Sequence, residues 1–503
     1  MHRRLLRLRL LPLVSALALA SGGVIAQGSG LIVPTLSLSQ TFTDNAGLDA
    51  GNRRSEFVTA ISPGFQYSSR SGRLQGSVRY ALNAIGYARD SERSNLQHAL
   101  NASLTGELVE NFLYIGSTAK VSQQSISALG PQGLELEQAN SNRAEVRSFS
   151  LSPSLRGRAF GELVYDAGLS WTTTQVDTAA VSDSTNLTGA IRLASDDRNA
   201  RLGWSTELIR SLAEFSAGRQ TASNRASLAL TYRLSPELDF SLRGGRESTN
   251  VATAAGASAN NWGLGMNWSP SDRTRVSLSQ ERRFFGNAHA FNLSHRMRRS
   301  VWRYSDTRDV STDSGPGAAA AARTVNDLLF EQFSSVEPDP ARRQQVVDLY
   351  LLANGLNGAQ QAGGGLLSSA ATVQRRQELS MSMSGQRQTF IVRGYRTEGR
   401  RVDAVASAVD DFSNGNIIVT RALSANISHR LTPASSASLA WSTARTDASL
   451  SGTRTDQQSL TASWTTRIGR QNALVVSLRH AEFDSPLRPY IENALTATLS
   501  ARF

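Results

Sequence analysis

The sequence predicts an all-β protein: a transmembrane antiparallel β-barrel of about 22 strands with one short helical insert. Three observations predict it. Apolar and polar residues alternate at period two from residue 32 to the carboxyl terminus, interrupted only at 313–374. Side chains on a strand point alternately to its two faces, so each segment has one apolar and one polar wall. Short Ser/Pro/Gly turns alternate with longer polar loops, the pattern of a barrel with turns on one side of a membrane and loops on the other. Hydrophobic residues make up 40% of the chain and the mean hydropathy is −0.28. That excludes a bundle of membrane helices but suits spanning strands that are only half apolar.

The amino terminus reads as an export leader. Arg3, Arg4, Arg7 and Arg9 precede an apolar stretch, Leu10 to Ala20, that is too short to span a bilayer as a helix. Val24-Ile25-Ala26 has the small-residue spacing of a signal-peptidase site, so residues 1–26 are expected to be removed and 27–503 to form the barrel. The chain has no cysteine, hence neither a lipoprotein anchor nor disulfides. Its formal charge is +12, and the four leader arginines take this to +8 on the mature chain. Lys120 is the only lysine. Export and dispersed charge argue against nucleic acid as a partner despite a pI near 10.6. Two readings of the charge stay open: an interior suited to anionic polysaccharide, or an arginine-rich composition without a functional meaning.

The strands follow in order. They are expected near 32–43, 56–68, 73–88, 95–108, 112–123, 145–157, 162–176, 185–195, 200–213, 223–235, 238–249, 259–269, 273–285, 288–298 and 300–311. After the interruption come 376–385, 388–398, 416–431, 436–447, 457–468, 472–483 and 490–503. Phe57, Ile61, Phe65 and Tyr67 share one face of the second strand, and Leu74, Val78, Tyr80 and Leu82 one face of the third. Phe149, Leu151, Pro153 and Leu155 oppose Ser148, Ser150, Ser152, Ser154 and Arg156. The turns at Leu234–Leu238, Trp268–Asp272 and Leu431–Ser435 each place Pro after a hydroxyl residue, which presets the second turn position. Tryptophans 171, 204, 262, 268, 302, 441 and 464 lie in strands, as interfacial aromatic girdles require.

Residues 313–374 read differently. Ser314-Gly-Pro-Gly317 and Ala318 to Ala322 are low in complexity. Thr324-Val-Asn-Asp327 resembles a capping box before Leu328, Leu329, Phe330 and Phe333. Asp339-Pro340 starts a second helix through Val346, Val347, Leu349, Tyr350 and Leu351 to Gly355. Strand parity puts this insert on the long-loop side, either as a plug in the lumen or as a cap on the mouth.

The chain ends on a strand whose Leu495, Ala497, Leu499, Ala501 and Phe503 share a face opposite Thr496, Thr498, Ser500 and Arg502. An amphipathic last strand closing on an aromatic residue resembles the sorting signal of bacterial outer-membrane barrels. Leu495, Leu499 and Phe503 are thus the expected assembly signal, with the barrel-assembly machinery and outer-membrane lipid as expected partners.

Several strings point to one family. They are Glu281-Arg-Arg-Phe-Phe-Gly-Asn-Ala-His289, Ser294-His-Arg296, Trp302-Arg-Tyr-Ser-Asp-Thr-Arg-Asp-Val310, Asp327-Leu-Leu-Phe330, Glu337-Pro-Asp-Pro340, Ala353-Asn-Gly355 and Arg375-Arg-Gln-Glu-Leu379. Together they resemble the outer-membrane proteins associated with the PEP-CTERM/exosortase system, from about residue 33 to Phe503. The resemblance implies an envelope location beside exopolysaccharide biosynthesis and brings no catalytic residues with it.

No enzyme chemistry stands out. His98, His289, His295, His429 and His480 have no serine-nucleophile motif beside them, and Gly-x-Ser-x-Gly is absent. Asp306, Asp309 and Asp313 lack the glycine and final Glu of a calcium loop, and no spacing suits another metal. No cofactor is expected. On the polar strand faces, Arg156, Arg192, Arg233, Arg243, Arg275, Arg283, Arg296, Arg303, Arg467 and Arg479 are candidates to line the lumen. Guanidinium groups match carboxylates and phosphates, so free ones would select anions. Paired with Asp239, Glu281 and other acids, they would instead tie neighbouring strands. Two functions follow: a conduit or accessory channel for exopolysaccharide, or a structural barrel that docks matrix components through its loops.

Overall fold

Each alternating segment forms a strand. They are β1 (Leu31–Thr43), β2 (Glu56–Ser69), β3 (Leu74–Tyr87), β4 (Asn95–Val109), β5 (Leu113–Ser125), β6 (Arg143–Ala159), β7 (Leu163–Val176), β8 (Ser184–Ser195), β9 (Leu202–Phe215), β10 (Thr221–Ser235) and β11 (Leu238–Thr249). The second half holds β12 (Ala257–Ser271), β13 (Thr274–Arg283), β14 (Gly286–Arg296), β15 (Ser300–Ser311), β16 (Thr372–Ser384), β17 (Gln388–Arg401), β18 (Ile417–Arg430), β19 (Ser435–Ala448), β20 (Arg454–Ile468), β21 (Asn472–Asp484) and β22 (Tyr490–Arg502). The computed structural model describes residues 31–69, 72–133, 140–160, 162–195, 200–217, 220–312, 326, 329–330, 333, 343–344, 346–348, 350–351, 367–402, 410–413, 416–469, 471–486 and 488–503. The leader, and the low-complexity run and caps of the insert, lie outside them.

Every strand pairs antiparallel with its sequence neighbours, and β1 pairs with β22 to close the barrel. Closure is how a sheet satisfies its edge hydrogen bonds in lipid. At the seam Leu38 faces Leu499 and Phe42 faces Leu495 on the outside. Inside, the Thr41 and Thr496 hydroxyls meet at 3.0 Å and the Thr43 hydroxyl donates to Glu492 at 2.8 Å. The Phe503 amide donates to the Pro34 carbonyl, so the last residue extends the seam.

The face carrying Leu38, Phe42, Leu495 and Leu499 is the outer wall. Large apolar residues stand exposed there around the barrel, all seven tryptophans among them. Trp204, Trp268, Trp302 and Trp464 lie near the turn ends of β9, β12, β15 and β20. The alternation therefore sorts lipid-facing from lumen-facing residues strand by strand.

The interior departs from a simple polar lining at the loop end. Ala144, Val146 and Val176 point inward and pack with Val181 and Leu367, while Phe412, Ile418 and Ala448 pack with Ala128 and Leu129. These apolar inner residues are buried because loops fold back onto them. The helical break is also shorter than expected. Strand β16 starts at Thr372 rather than near 376, because Thr372 to Arg375 pair with β15 on one side and β17 on the other.

Candidate functional site

The register places all ten candidate arginines on the inner face. Four are tied to acids. Arg156 Nε lies 2.8 Å from Asp166, and Arg283 reaches Glu247 at 2.6 Å and Asp309 at 2.7 Å. Arg479 binds both oxygens of the buried Glu492 at 3.1 Å. Arg243 lies 4.0 Å from Glu207 and 3.9 Å from Glu281. Arg192 sits between Asp166 and Glu207 in register. Arg233 faces Asp239 in register and donates to the Ala200 carbonyl at 3.4 Å, while Arg467 donates to the Pro433 carbonyl at 2.9 Å. Arg275 and Arg303 flank Ser294, and Arg296 lies opposite Val301. The wall thus carries alternating charge rather than a bare guanidinium lining.

A buried three-membered ion cluster, Arg376, Glu378 and Arg393, was not among the candidates. Glu378 accepts from Arg393 Nε at 2.8 Å and from Arg376 Nη2 at 3.1 Å, and both guanidinium groups lie over the Tyr395 ring. Its signal was present in the alternation Arg376, Glu378, Ser380, Ser382, which puts all four on the polar face. Removing one partner from such a cluster strands the other charges. Glu378→Ala is expected to lower barrel stability by about 3 kcal/mol, measured as urea unfolding from bilayers. A loss below about 1 kcal/mol would mean that lumen water screens the cluster as it would a surface pair.

The insert enters this lumen. Asn326, Leu329, Phe330, Arg343, Gln344, Val346 to Asp348, Tyr350 and Leu351 are helical. Leu329, Val347 and Leu351 form an apolar core joined by Phe330, Phe333, Tyr350 and Ile391, and Ile391 is near the turn end of β17. Asp348 binds Arg79 on β3 at 2.5 Å, and the Tyr350 hydroxyl donates to Asn426 on β18 at 3.4 Å. Burial pushes the Tyr350 phenol above its ordinary range. β3 and β18 stand seven strand positions apart through the β1–β22 seam, so the insert bridges distant parts of the inner wall.

Loops cross the mouth above it. The Ser127 hydroxyl and Ala128 amide each donate to Asp411 at 2.7 Å, joining the β5–β6 loop to the β17–β18 loop. Burial pushes the Asp411 carboxyl up, outweighing these two donors. The Gln132 carbonyl accepts from Tyr490 at 2.7 Å and from Gln457 at 3.0 Å. Ser182 donates its amide to the Ser369 hydroxyl, and Ser369 donates its own to Asp410. No sequence pattern announced these contacts, which join loops far apart in the chain.

The five described histidines are on the outer face. His98 bonds Tyr80, His295 bonds Thr274, and His480 bonds Asn493. His289 bonds Asp306, which Arg375 and Gln377 also hold. Asp306 and Asp309 point to opposite faces, and Asp313 lies outside the described residues. Among the described residues no His, Asp and Glu group is arranged to hold a metal. No helix there is long and apolar enough to cross a membrane, which does not bear on spanning by strands.

Fold and lumen together define a closed 22-stranded antiparallel barrel, braced inside by ion pairs and occupied by an insert. No family model and no curated protein sequence matches the chain. Among solved structures it is similar to the apoprotein form of the FrpB iron transporter from Neisseria meningitidis, at 10% identity and a TM-score of 0.48, over 94% of this chain and 81% of that one. It is also similar to the siderophore receptor PirA from Pseudomonas aeruginosa, at 11% identity and a TM-score of 0.40, over 94% and 80%. An anion-selective porin from Comamonas acidovorans aligns at 11% identity and a TM-score of 0.34, over 95% and 100%.

Proposed function

We propose that this chain is an outer-membrane barrel that serves as a conduit for an acidic exopolysaccharide, with its insert holding the lumen closed at rest. The observation that carries the reading is the insert packed against Ile391 and anchored to Arg79 and Asn426 inside a guanidinium-bearing wall. Barrels of this strand number enclose a lumen wide enough to need a plug. The resemblance to exosortase-associated outer-membrane proteins supplies the polysaccharide context. Arg376 Nη1 is buried without a hydrogen-bond partner among the described residues, a donor that an anion can satisfy. The test is block of ion current through a plug-deleted barrel. Oligouronates are expected to block it at concentrations at least tenfold below those of neutral oligoglucans. Equal block by the two would remove acidic polysaccharide as the substrate class.

A second reading is a structural barrel that docks matrix components. The tied mouth loops favour it, since Ser127–Asp411 and Gln132–Tyr490 fix a defined outer surface. That reading expects no current even after the plug is removed.

A further inference from the structure

The outer wall over β5 to β11 carries an open groove of about 890 Å³. Leu155, Leu169, Ile191 and Leu208 line it, and Gly189 and Ala226 leave the hollow between them. By register these residues share the lipid-facing side. At its loop end the lining changes to Arg210, Asn224, Arg246 and Ser248.

Arg210 and Arg246 are exposed on this wall, and among the described residues neither has an ion-pair or hydrogen-bond partner. Several other outward arginines do: Arg375 pairs with Asp306, Arg421 with Asp447 and Arg445 with Asp456. A third unpartnered outward arginine, Arg282 on β13, stands opposite Trp262. Relative to the pairing ladder, Arg246 lies two residues nearer the turn end than Arg210, and Arg282 two nearer again. The pairing lines climb toward the loop end with strand order, as the shear of a tilted barrel requires, so this stepping puts the three at one level. Two strand spacings, about 10 Å, separate each from the next. Below them the outward residues are mostly apolar, with Leu202, Trp204 and Leu208 around Thr206 on β9 and Leu238, Phe240 and Leu242 on β11.

A guanidinium at the border of an apolar band sits at headgroup depth, where its exposure costs little and an anionic headgroup can pair with it. We propose that this groove binds a phosphorylated glycolipid of the outer leaflet. Its acyl chains lie along Leu155, Leu169, Ile191 and Leu208, and its phosphates are held by Arg210, Arg246 and Arg282. Guanidinium forks suit phosphate oxygens, and the hollow at Gly189 and Ala226 accepts a chain that a flat wall would not. This rests on the outer-membrane reading proposed above.

The test uses the folded full-length barrel in phosphatidylcholine nanodiscs containing either bis-phosphorylated lipid A or its dephosphorylated form, with retained lipid counted by native mass spectrometry. The wild type is expected to hold the phosphorylated form at least tenfold better, and millimolar inorganic phosphate is expected not to displace it. R210Q/R246Q/R282Q is expected to lose that preference. G189L fills the hollow and stands opposite Arg210 in register, leaving Arg246 and Arg282 untouched, and a Cβ at Gly189 meets only Leu169 Cδ1, at 3.8 Å. It is expected to weaken retention while the barrel folds normally. Equal retention of the two lipids, a triple variant that behaves as wild type, or full displacement by inorganic phosphate would each overturn the proposal. A heat-modifiable barrel that retains no lipid fails this inference alone, whereas a chain that does not fold into bilayers fails the outer-membrane reading.

Discussion

Deleting residues 313–370 and joining Thr312 to Ala371 through a short Gly/Ser linker is expected to open the barrel. β15 and β16 keep their pairing, since Ser300–Ser311 and Thr372–Ser384 lie wholly outside the deletion. The deletion removes the Leu329–Val347–Leu351 core, its seat on Ile391, the Asp348–Arg79 and Tyr350–Asn426 contacts, and the Leu367 and Ser369 contacts at the mouth. Single-channel conductance in planar bilayers is expected to rise by about tenfold or more, because a barrel of this size without a plug leaves an aqueous channel. The folded variant should still migrate faster unheated than boiled. A folded variant with unchanged conductance would mean that the mouth loops, held through Asp411 and Gln132, close the barrel unaided. A variant that does not fold would place the insert in the structural core.

The terminal strand is the second large effect. Leu495 faces Phe42 and Leu478, and Leu499 faces Leu38 and Leu474, all at the closing seam. Replacing both with Asp puts two carboxylates on the lipid face, at up to about 2 kcal/mol each. Removing Phe503 deletes the amide that donates to Pro34. Both variants are expected to fall to about a tenth or less of wild-type level in outer-membrane fractions, read by immunoblot, with degradation in the periplasm. Normal levels would show that neither the apolar face nor the last residue directs assembly.

Much of the fold was legible because its signal is local. Period two needs only neighbouring residues, so the strands emerged close to their observed bounds, and turn chemistry at Leu234–Leu238 and Leu431–Ser435 marked where they reverse. The insert was legible for the same reason, as a break in period. Its end was misplaced because Thr372 to Arg375 have no strong alternation of their own and become strand only through pairing with β15 and β17.

The sequence by itself determined which side of each strand meets lipid and which meets the lumen, since that follows from parity alone. It therefore placed Arg156 through Arg479 on one wall. Only the tertiary structure decided which of them meet an acid. The partners of Arg283 are Glu247 and Asp309, 36 and 26 residues away, and register around a closed sheet brings them within reach. The same holds for the mouth, where Ser127 meets Asp411 across 284 residues. It holds again for the insert, whose apolar face needed a wall before it could dock inside the barrel. Local alternation encodes a face. Charge pairing, loop closure and insert docking depend on distances between strands, and barrel closure is what sets those.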